Sequence, residues 1–273
     1  MAPGATRLQR LRRVLAQRQP DLTVLMDGVR KSLNLGAVTR TAEAAGCLEV
    51  HAVVNQDDSK HVLKNGVHKR SAKAWAQGSQ DPKGAGLRRP RNKELLSTSK
   101  GADRWVQVRV HEQLEKAVQC VREQGMQIIT ADLAPEAVDF RQIDYTRPTC
   151  VLVGAEAEGV SDAGRAFADH IVTIPMVGMV QSLNVSAATA IVLYEAQRQR
   201  EAAGMYEEAN SALSAEEQGR LLVRFFQPEV AALCDAKGID YPKLDEDGDV
   251  IPDAAWSRAF HARASDKDPS VLQ

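Results

Sequence analysis

Short, solidly apolar runs separated by longer amphipathic stretches set the rhythm of this chain. Residues 6–18 place Leu8, Leu11, Val14 and Leu15 on one helical stripe among arginines, and Pro20 ends that pattern. Leu22–Met26 begins a strand, and Asn34–Gly46 reads as a helix with Asn34 as its cap and Gly46 as its stop. Leu48–Val54 is a second strand. Residues 56–103 then break every period: rich in Lys, Ser, Gly and Pro, they predict a long mobile or disordered insertion. Order resumes with an alternating strand, Trp105–Val110, and a helix over 111–124. Strands Gln127–Leu133 and Thr149–Gly154 flank a loop over 134–148. A short helix near 161–168, a last strand Ile171–Met176 and an apolar helix from Ala187 to about Leu193 follow.

Strands that alternate with helices and read as unbroken apolar runs predict the α/β class: a mostly parallel sheet with helices on both faces. Ligands of such sheets bind beyond the carboxyl ends of the strands, which gathers the loops after Ile129, Val153 and Ile174 around one crevice. Beyond Gly204 the chain turns acidic, with helices expected near 214–226 and 229–237. Asp245–Asp249 resembles a calcium loop, but Trp256 stands where the bidentate acid belongs, so a hairpin turn is expected. The organisation read from this is a basic N-terminal helix over 1–20, a central domain over 21–204 carrying the insertion, and an acidic extension over 205–273.

Composition changes the picture at three points. No apolar run reaches membrane-spanning length and the N-terminus lacks an apolar leader segment, so no membrane partner and a cytoplasmic location are expected. Cys47, Cys120, Cys150 and Cys234 lie far apart with no C-x-x-C spacing, which argues against zinc or disulfide frameworks. The net charge of −1 hides an asymmetry: residues 59–104 carry twelve Lys/Arg against Asp81, Glu94 and Asp103, a net of +9, and residues 201–273 a net of −8. Five arginines and no acid occupy residues 1–20. Concentrated positive segments on a near-neutral chain suggest a polyanion, nucleic acid first, against the plainer reading of a solvated tail and loop. At 4% aromatics, a base-stacking platform for single strands is poorly supported.

Three clusters can carry chemistry. In Asn34–Ala42 a lone arginine, Arg40, stands among small apolar residues and needs an anion or acceptors, against the plainer reading of a salt bridge to Glu43 or a solvated edge. In Val153–Ser161 the glycines let backbone approach a ligand, and Ser161 caps the next helix. No dinucleotide fingerprint follows a strand and no P-loop exists. In Ile174–Glu195 a loop with Gln181, Ser182, Asn184 and Ser186 opens an apolar helix. Ser182 or Asn184 can cap that helix, but the loop holds more polar groups than a cap needs.

Taken together, these segments resemble the tRNA guanosine-2′-O-methyltransferase family of the SPOUT superfamily. Asn34…Arg40-Thr41-Ala42 resembles its first motif, Gly154-x-Glu156-x-x-Gly159-Val160-Ser161 its second, and Ile174-Pro175-Met176…Ser182-Leu183-Asn184-Val185-Ser186 its third. Arg18–Val24, Asp139–Arg141 with Asp144–Thr146, and Glu195–Arg200 resemble the subgroup acting at tRNA position 18. The likeness covers roughly 6–55 and 103–260; the insertion departs from it.

The resemblance implies a deep C-terminal trefoil knot, an exception to unthreaded connections, and a homodimer whose active site spans both copies. It implies S-adenosylmethionine held by backbone at Ala131, Gly154, Ile174, Met176 and Leu183. It makes Arg40 the residue that activates the ribose hydroxyl, Asn34 its positioner, Glu156 an organiser of loop or RNA, and Ser182 and Asn184 pocket residues. Arg7, Arg10, Arg12, Arg13 and Arg18 would grip tRNA phosphates. No metal is expected, because the leaving group is a neutral thioether. A ribosomal-RNA methyltransferase and a non-catalytic RNA-binding protein keep the same features and stay open.

Overall fold

The computed structural model describes residues 6–29, 31–53, 99–155, 158–251 and 253–261. Seven parallel strands form one sheet: β1 (Leu22–Asp27), β2 (Glu49–Val53), β3 (Gln107–His111), β4 (Gln127–Ala131), β5 (Val138–Asp139), β6 (Thr149–Val153) and β7 (His170–Thr173). Their order is β3-β2-β1-β6-β4-β7-β5. In the central strands β1 and β6 every residue is buried, as solid apolar runs require when helices cover both faces.

The two-residue period of the strands decides which face each residue serves. Val24, Met26, Ile129, Val151 and Val153 meet Val38 and Ala42 of α2 (Ser32–Ala44) and Val192, Leu193 and Ala196 further along the chain. Leu25, Ile128, Cys150 and Leu152 meet Leu114, Ala117, Val118 and Val121 of α3 (Leu114–Glu123) on the other face. Each Ile or Leu so buried stabilises the fold by roughly 1.5–3 kcal/mol. The short α4 (Asp162–Phe167) leads into β7, and α5 (Val185–Ala202) packs beside α2.

The described residues between Gln17 and Ala212 make one compact unit. The other joins α1 (Arg7–Ala16) to the segment from Leu213 onward, with α6 (Ala215–Phe226), α7 (Pro228–Lys237) and α8 (Ala254–His261). Leu8, Leu11 and Leu15 form the buried stripe of α1, which packs on α6. Ser214 and Glu217 close a capping box at the start of α6. Asp245 accepts three backbone N–H groups of the expected hairpin turn, which pairs Leu244 with Val250.

Several expectations need correction. Asn34 is not a cap: α2 starts two residues earlier, with Lys31 in the cap position. Gly46, at φ +89°, does stop that helix. A two-residue strand, β5, lies inside the expected loop, and α8 was not foreseen. The expected apolar helix runs on to Ala202. The insertion lies outside the described residues up to position 98; its last residues end in a single 3-10 turn, Ala102–Arg104.

Candidate active site

Strand register brings three of the residues expected at the cofactor together. Thr130 is level with Leu152, and Ala131 with Val172. Ala131, Gly154 and Ile174 therefore sit at the carboxyl ends of three neighbouring strands, β4, β6 and β7. Ala131 and Ile174 are half-buried against the same core as Leu35 and Val185. Met176 is half-buried and Leu183 exposed, in the segment between β7 and α5. Gly154 has a further reason to lack a side chain: a Cβ there would lie 2.0 Å from the carbonyl oxygen of Gly159. That close approach is the chain's own, fixed by the Ala155–Gly159 bridge. Glu156 lies outside the described residues.

The first and third motif segments meet through one hydrogen bond. Asn184 caps α5 by accepting from the Ser186 N–H at 2.9 Å, and its Nδ2 donates to Oδ1 of the buried Asn34 at 3.3 Å. One side chain thus starts α5 and fixes it to the start of α2. Ser182, the other expected cap, is exposed, as is Gln181. Further along α2, Arg40 is exposed and has no hydrogen-bond or ion-pair partner among the described residues. Its expected alternative partner is taken, since Glu43 Oε1 accepts from Arg18 Nη2 at 3.0 Å.

That pairing corrects the assignment of Arg18 to RNA. Arg18 is 1% exposed and its guanidinium also donates to the carbonyls of Glu43 and Cys47, so it holds the fold together and cannot reach a phosphate. The other four expected phosphate contacts lie on α1. There Arg7 stands over the Phe226 ring and Arg12 donates to the Asp245 carbonyl. Arg10 and Arg13 are exposed without a partner among the described residues.

Polar ties fix the connection between β6 and β7. Ser161 accepts from the Gly164 N–H as the cap of α4 and donates its hydroxyl to Asp27 Oδ2 at 2.6 Å. Sequence reasoning missed Asp27; an acid ending an otherwise apolar strand was the available signal. The loop before α5 exposes Val177, Met179 and Val180, and α5 itself exposes Ala187, Ile191 and Tyr194 along one stripe. The expected apolar helix therefore has a surface face, and much of that face is apolar. Among the described residues no group of three or more His, Cys, Asp or Glu could hold a metal ion, and no helix is long and apolar enough to cross a membrane.

The sequence matches the SpoU rRNA Methylase family over residues 84–194 and the SpoU rRNA methylase C-terminal family over 198–253. It is 44% identical to the tRNA (guanosine(18)-2'-O)-methyltransferase of Escherichia coli K12 over 94% of this chain and 98% of that one. Among solved structures it resembles the A. aeolicus TrmH/SpoU tRNA modifying enzyme, with a TM-score of 0.62 and 36% identity over 82% of this chain and 96% of the other. It also resembles the AdoMet-bound rRNA methyltransferase of Sinorhizobium meliloti, with a TM-score of 0.50 and 28% identity, covering 69% of this chain and 59% of that one.

Proposed function

The chain belongs to the SpoU methylase family, and from that premise we propose how its site works. It is a tRNA (guanosine-2′-O-)-methyltransferase that methylates the ribose 2′-hydroxyl of guanosine 18 in the D-loop. The tRNA relative matches along nearly its whole length, whereas the ribosomal-RNA enzyme matches over 59% of its own. The observation that carries the reading is the Asn184–Asn34 hydrogen bond, which joins segments 150 residues apart and reaches the helix that also carries Arg40, an arginine without a partner among the described residues.

When bound, S-adenosylmethionine supplies the methyl group as a sulfonium electrophile. The strand ends at Ala131, Gly154 and Ile174 suit it: small or half-buried side chains leave main-chain groups as the recognition surface. Met176 and Leu183 complete that wall. Arg40 offers a free guanidinium on the same helix as Asn34. A guanidinium stays protonated in proteins and is a poor base. Arg40 therefore holds the substrate phosphate or stabilises the alkoxide as it forms, in the manner of preorganised donors. Asn34, fixed by Asn184, orients the start of the helix that carries it. Ser182 and Glu156 are assigned to the pocket and its loop.

The finer architecture follows the same reading. β7 is the last strand made, yet it pairs between β4 and β5, and α5 then returns to α2; this order supports a knotted path. The exposed apolar stripe of α5 and the loop before it support a homodimer face, where a monomer would leave those side chains in water. The place of action is the cytoplasm, with tRNA. Incubating the protein with labelled donor and unmodified tRNA, then mapping the methylated nucleotide, tests the reading. Label on guanosine 18 is expected; label on ribosomal RNA alone moves the substrate, and none anywhere leaves an RNA-binding protein.

A further inference from the structure

The connection leaving β6 is tied on both sides to the strands that flank β6. In the sheet, β6 lies between β1 and β4. On the β1 side, Ser161 donates to Asp27 Oδ2 at 2.6 Å, and Asp27 is 7% exposed. On the β4 side, Arg165 of α4 pairs with Asp132, the residue directly after Ala131. The Asp132 N–H in turn donates to the Val172 carbonyl of β7 at 3.0 Å. Arg165 also holds Asp162 at 2.9 Å, closing α4 on itself. Just before the two ties, Gly159 N–H donates to the Ala155 carbonyl at 3.0 Å.

We propose that Asp27 and Asp132 are positioning residues that clamp Glu158–Ser161 and α4 between the β1 and β4 ends, setting the backbone of the donor pocket. The inference rests on the functional reading above for what the pocket binds, but not for the clamp itself. The two ties differ in strength. Asp27 is buried and has one hydroxyl partner among the described residues. The Asp132–Arg165 pair is more exposed, with side chains 17% and 38% accessible, and solvent screens it. Asp27 has a second consequence: Gly28 follows it at φ +69° and leads toward α2, so the tie links the donor side to the helix carrying Asn34 and Arg40.

Asp27→Ala, Asp132→Ala, Ser161→Ala and the conservative Ser161→Thr test this in the full chain. The readouts are donor affinity by calorimetry, kcat at saturating donor and tRNA, and amide exchange at Gly159, Val160 and Gly164. Loss of a hydrogen bond to a charged group, about 1.5 kcal/mol, corresponds to about tenfold in an equilibrium constant. Asp27→Ala is therefore expected to weaken donor binding about tenfold, lower kcat further, and speed exchange at Gly159 and Val160. Asp132→Ala should weaken donor binding about threefold and lower kcat by a smaller factor than Asp27→Ala does. Ser161→Thr keeps the hydroxyl and should behave as the parent, whereas Ser161→Ala should lose at least as much as Asp27→Ala, because it also removes the α4 cap. Exchange at Gly159 and Val160 unchanged in Asp27→Ala would overturn the clamp, even if the parent chain transfers no methyl group. So would equal losses of donor binding, kcat and thermal stability that Ser161→Thr fails to restore. A parent chain inactive on every RNA, with faster exchange in Asp27→Ala, would uphold the clamp and reject the methyltransferase reading.

Discussion

The amino ends of the sheet and the exposed side of α2 treat their arginines in opposite ways. At the amino ends, Arg200 is fully buried and donates to Tyr145 O, Gln19 Oε1, Asp21 Oδ1, Asp21 O and Arg147 O. Arg18 binds two carbonyls and Glu43 in the same way. On the exposed side of α2 Arg40 makes no such bond among the described residues, and at the carboxyl ends Ser182 and Gln181 stand in water with exposed Val177 and Met179. A buried charge is tolerated where the fold supplies its acceptors; an open one can take acceptors from elsewhere. The amino ends supply partners to Arg200 and Arg18, and no described residue supplies one to Arg40.

The sharpest way to break this contrast is to remove one arginine of each kind. Arg200→Ala leaves backbone carbonyls and Asp21 without their partner, a loss of about 3–5 kcal/mol expected in denaturant titration. Arg200→Lys should recover only part of it, since one ammonium cannot fill a fork of five acceptors. Arg40→Ala should do the reverse, lowering kcat about 10²–10³-fold with melting temperature and donor affinity unchanged. If Arg40→Ala instead lost donor affinity, Arg40 would belong to the cofactor wall.

Asn184 sharpens the comparison because it serves both fold and site. Asn184→Ala removes the α5 cap and the Asn34 tie together, and should cost about 1 kcal/mol of stability along with activity. Asn184→Asp keeps an acceptor for the Ser186 N–H but cannot donate to Asn34. It should melt like the parent and lose about tenfold in turnover. Equal activity of Asp and Asn at this position would reduce the link between α2 and α5 to packing.

Much of the fold was legible because its strands are apolar on both faces, so even single residues such as Leu25 and Val24 declare opposite layers only once the sheet is formed. Caps were legible where the bond is local: Ser161 reaches Gly164, and Asp253 accepts from Ala255 and Trp256 at the start of α8, a signal passed over. β5 escaped because a strand of two residues has no period. The reach of α5 to Ala202 escaped because its polar half looks solvated, yet Gln199 binds the backbone of Ile143 and Tyr145. Arg18 was assigned to phosphate for one reason. Which arginine meets Glu43 depends on how residues 25 apart fold together, and no local pattern carries that. The Asn34–Asn184 bond is the same case at 150 residues.

A third region, at the β2–β3 edge, tests whether a satisfied polar cluster always reports structure. Buried His51 meets His111 at 2.9 Å and Glu49 at 3.4 Å; Arg109 pairs with Glu49 at 2.7 Å, and Gln124 and Cys120 of the α3 side face the group. Burial, then the charges of His51 and Arg109, pull His111 down to about 4. Burial opposes the Glu49 charge, but His51 and Arg109 outweigh it and bring Glu49 down to about 2. Both groups bind protons first in the unfolded chain, so acid favours unfolding. Stability should be full above pH 6.5, fall as pH drops toward 4 on account of His111, and fall further toward 2 on account of Glu49. Because His111 is partly exposed, its share is on the order of 1 kcal/mol. Melting curves of His111→Asn should be flatter between pH 6.5 and 4 than those of the parent.

The smallest expected effects lie on α1, where the same criterion divides four arginines that sequence treats alike. Arg7 and Arg12 have partners in their own unit, Phe226 and the Asp245 carbonyl, while Arg10 and Arg13 have none among the described residues. Arg10 and Arg13 are three apart on one helix, so their guanidinium groups cover neighbouring positions on the same face. If open cations report a polyanion here as at Arg40, these two carry the phosphate contacts. Arg10→Ala or Arg13→Ala should each lower the slope of log affinity for tRNA against log salt by about 0.7–0.9, weakening binding a few-fold near physiological salt. Arg12→Ala should leave that slope unchanged and lower thermal stability slightly instead. Equal salt slopes for Arg10→Ala and Arg12→Ala would mean that pairing within the fold does not predict which arginines are free to meet RNA, and would weaken the same inference for Arg40.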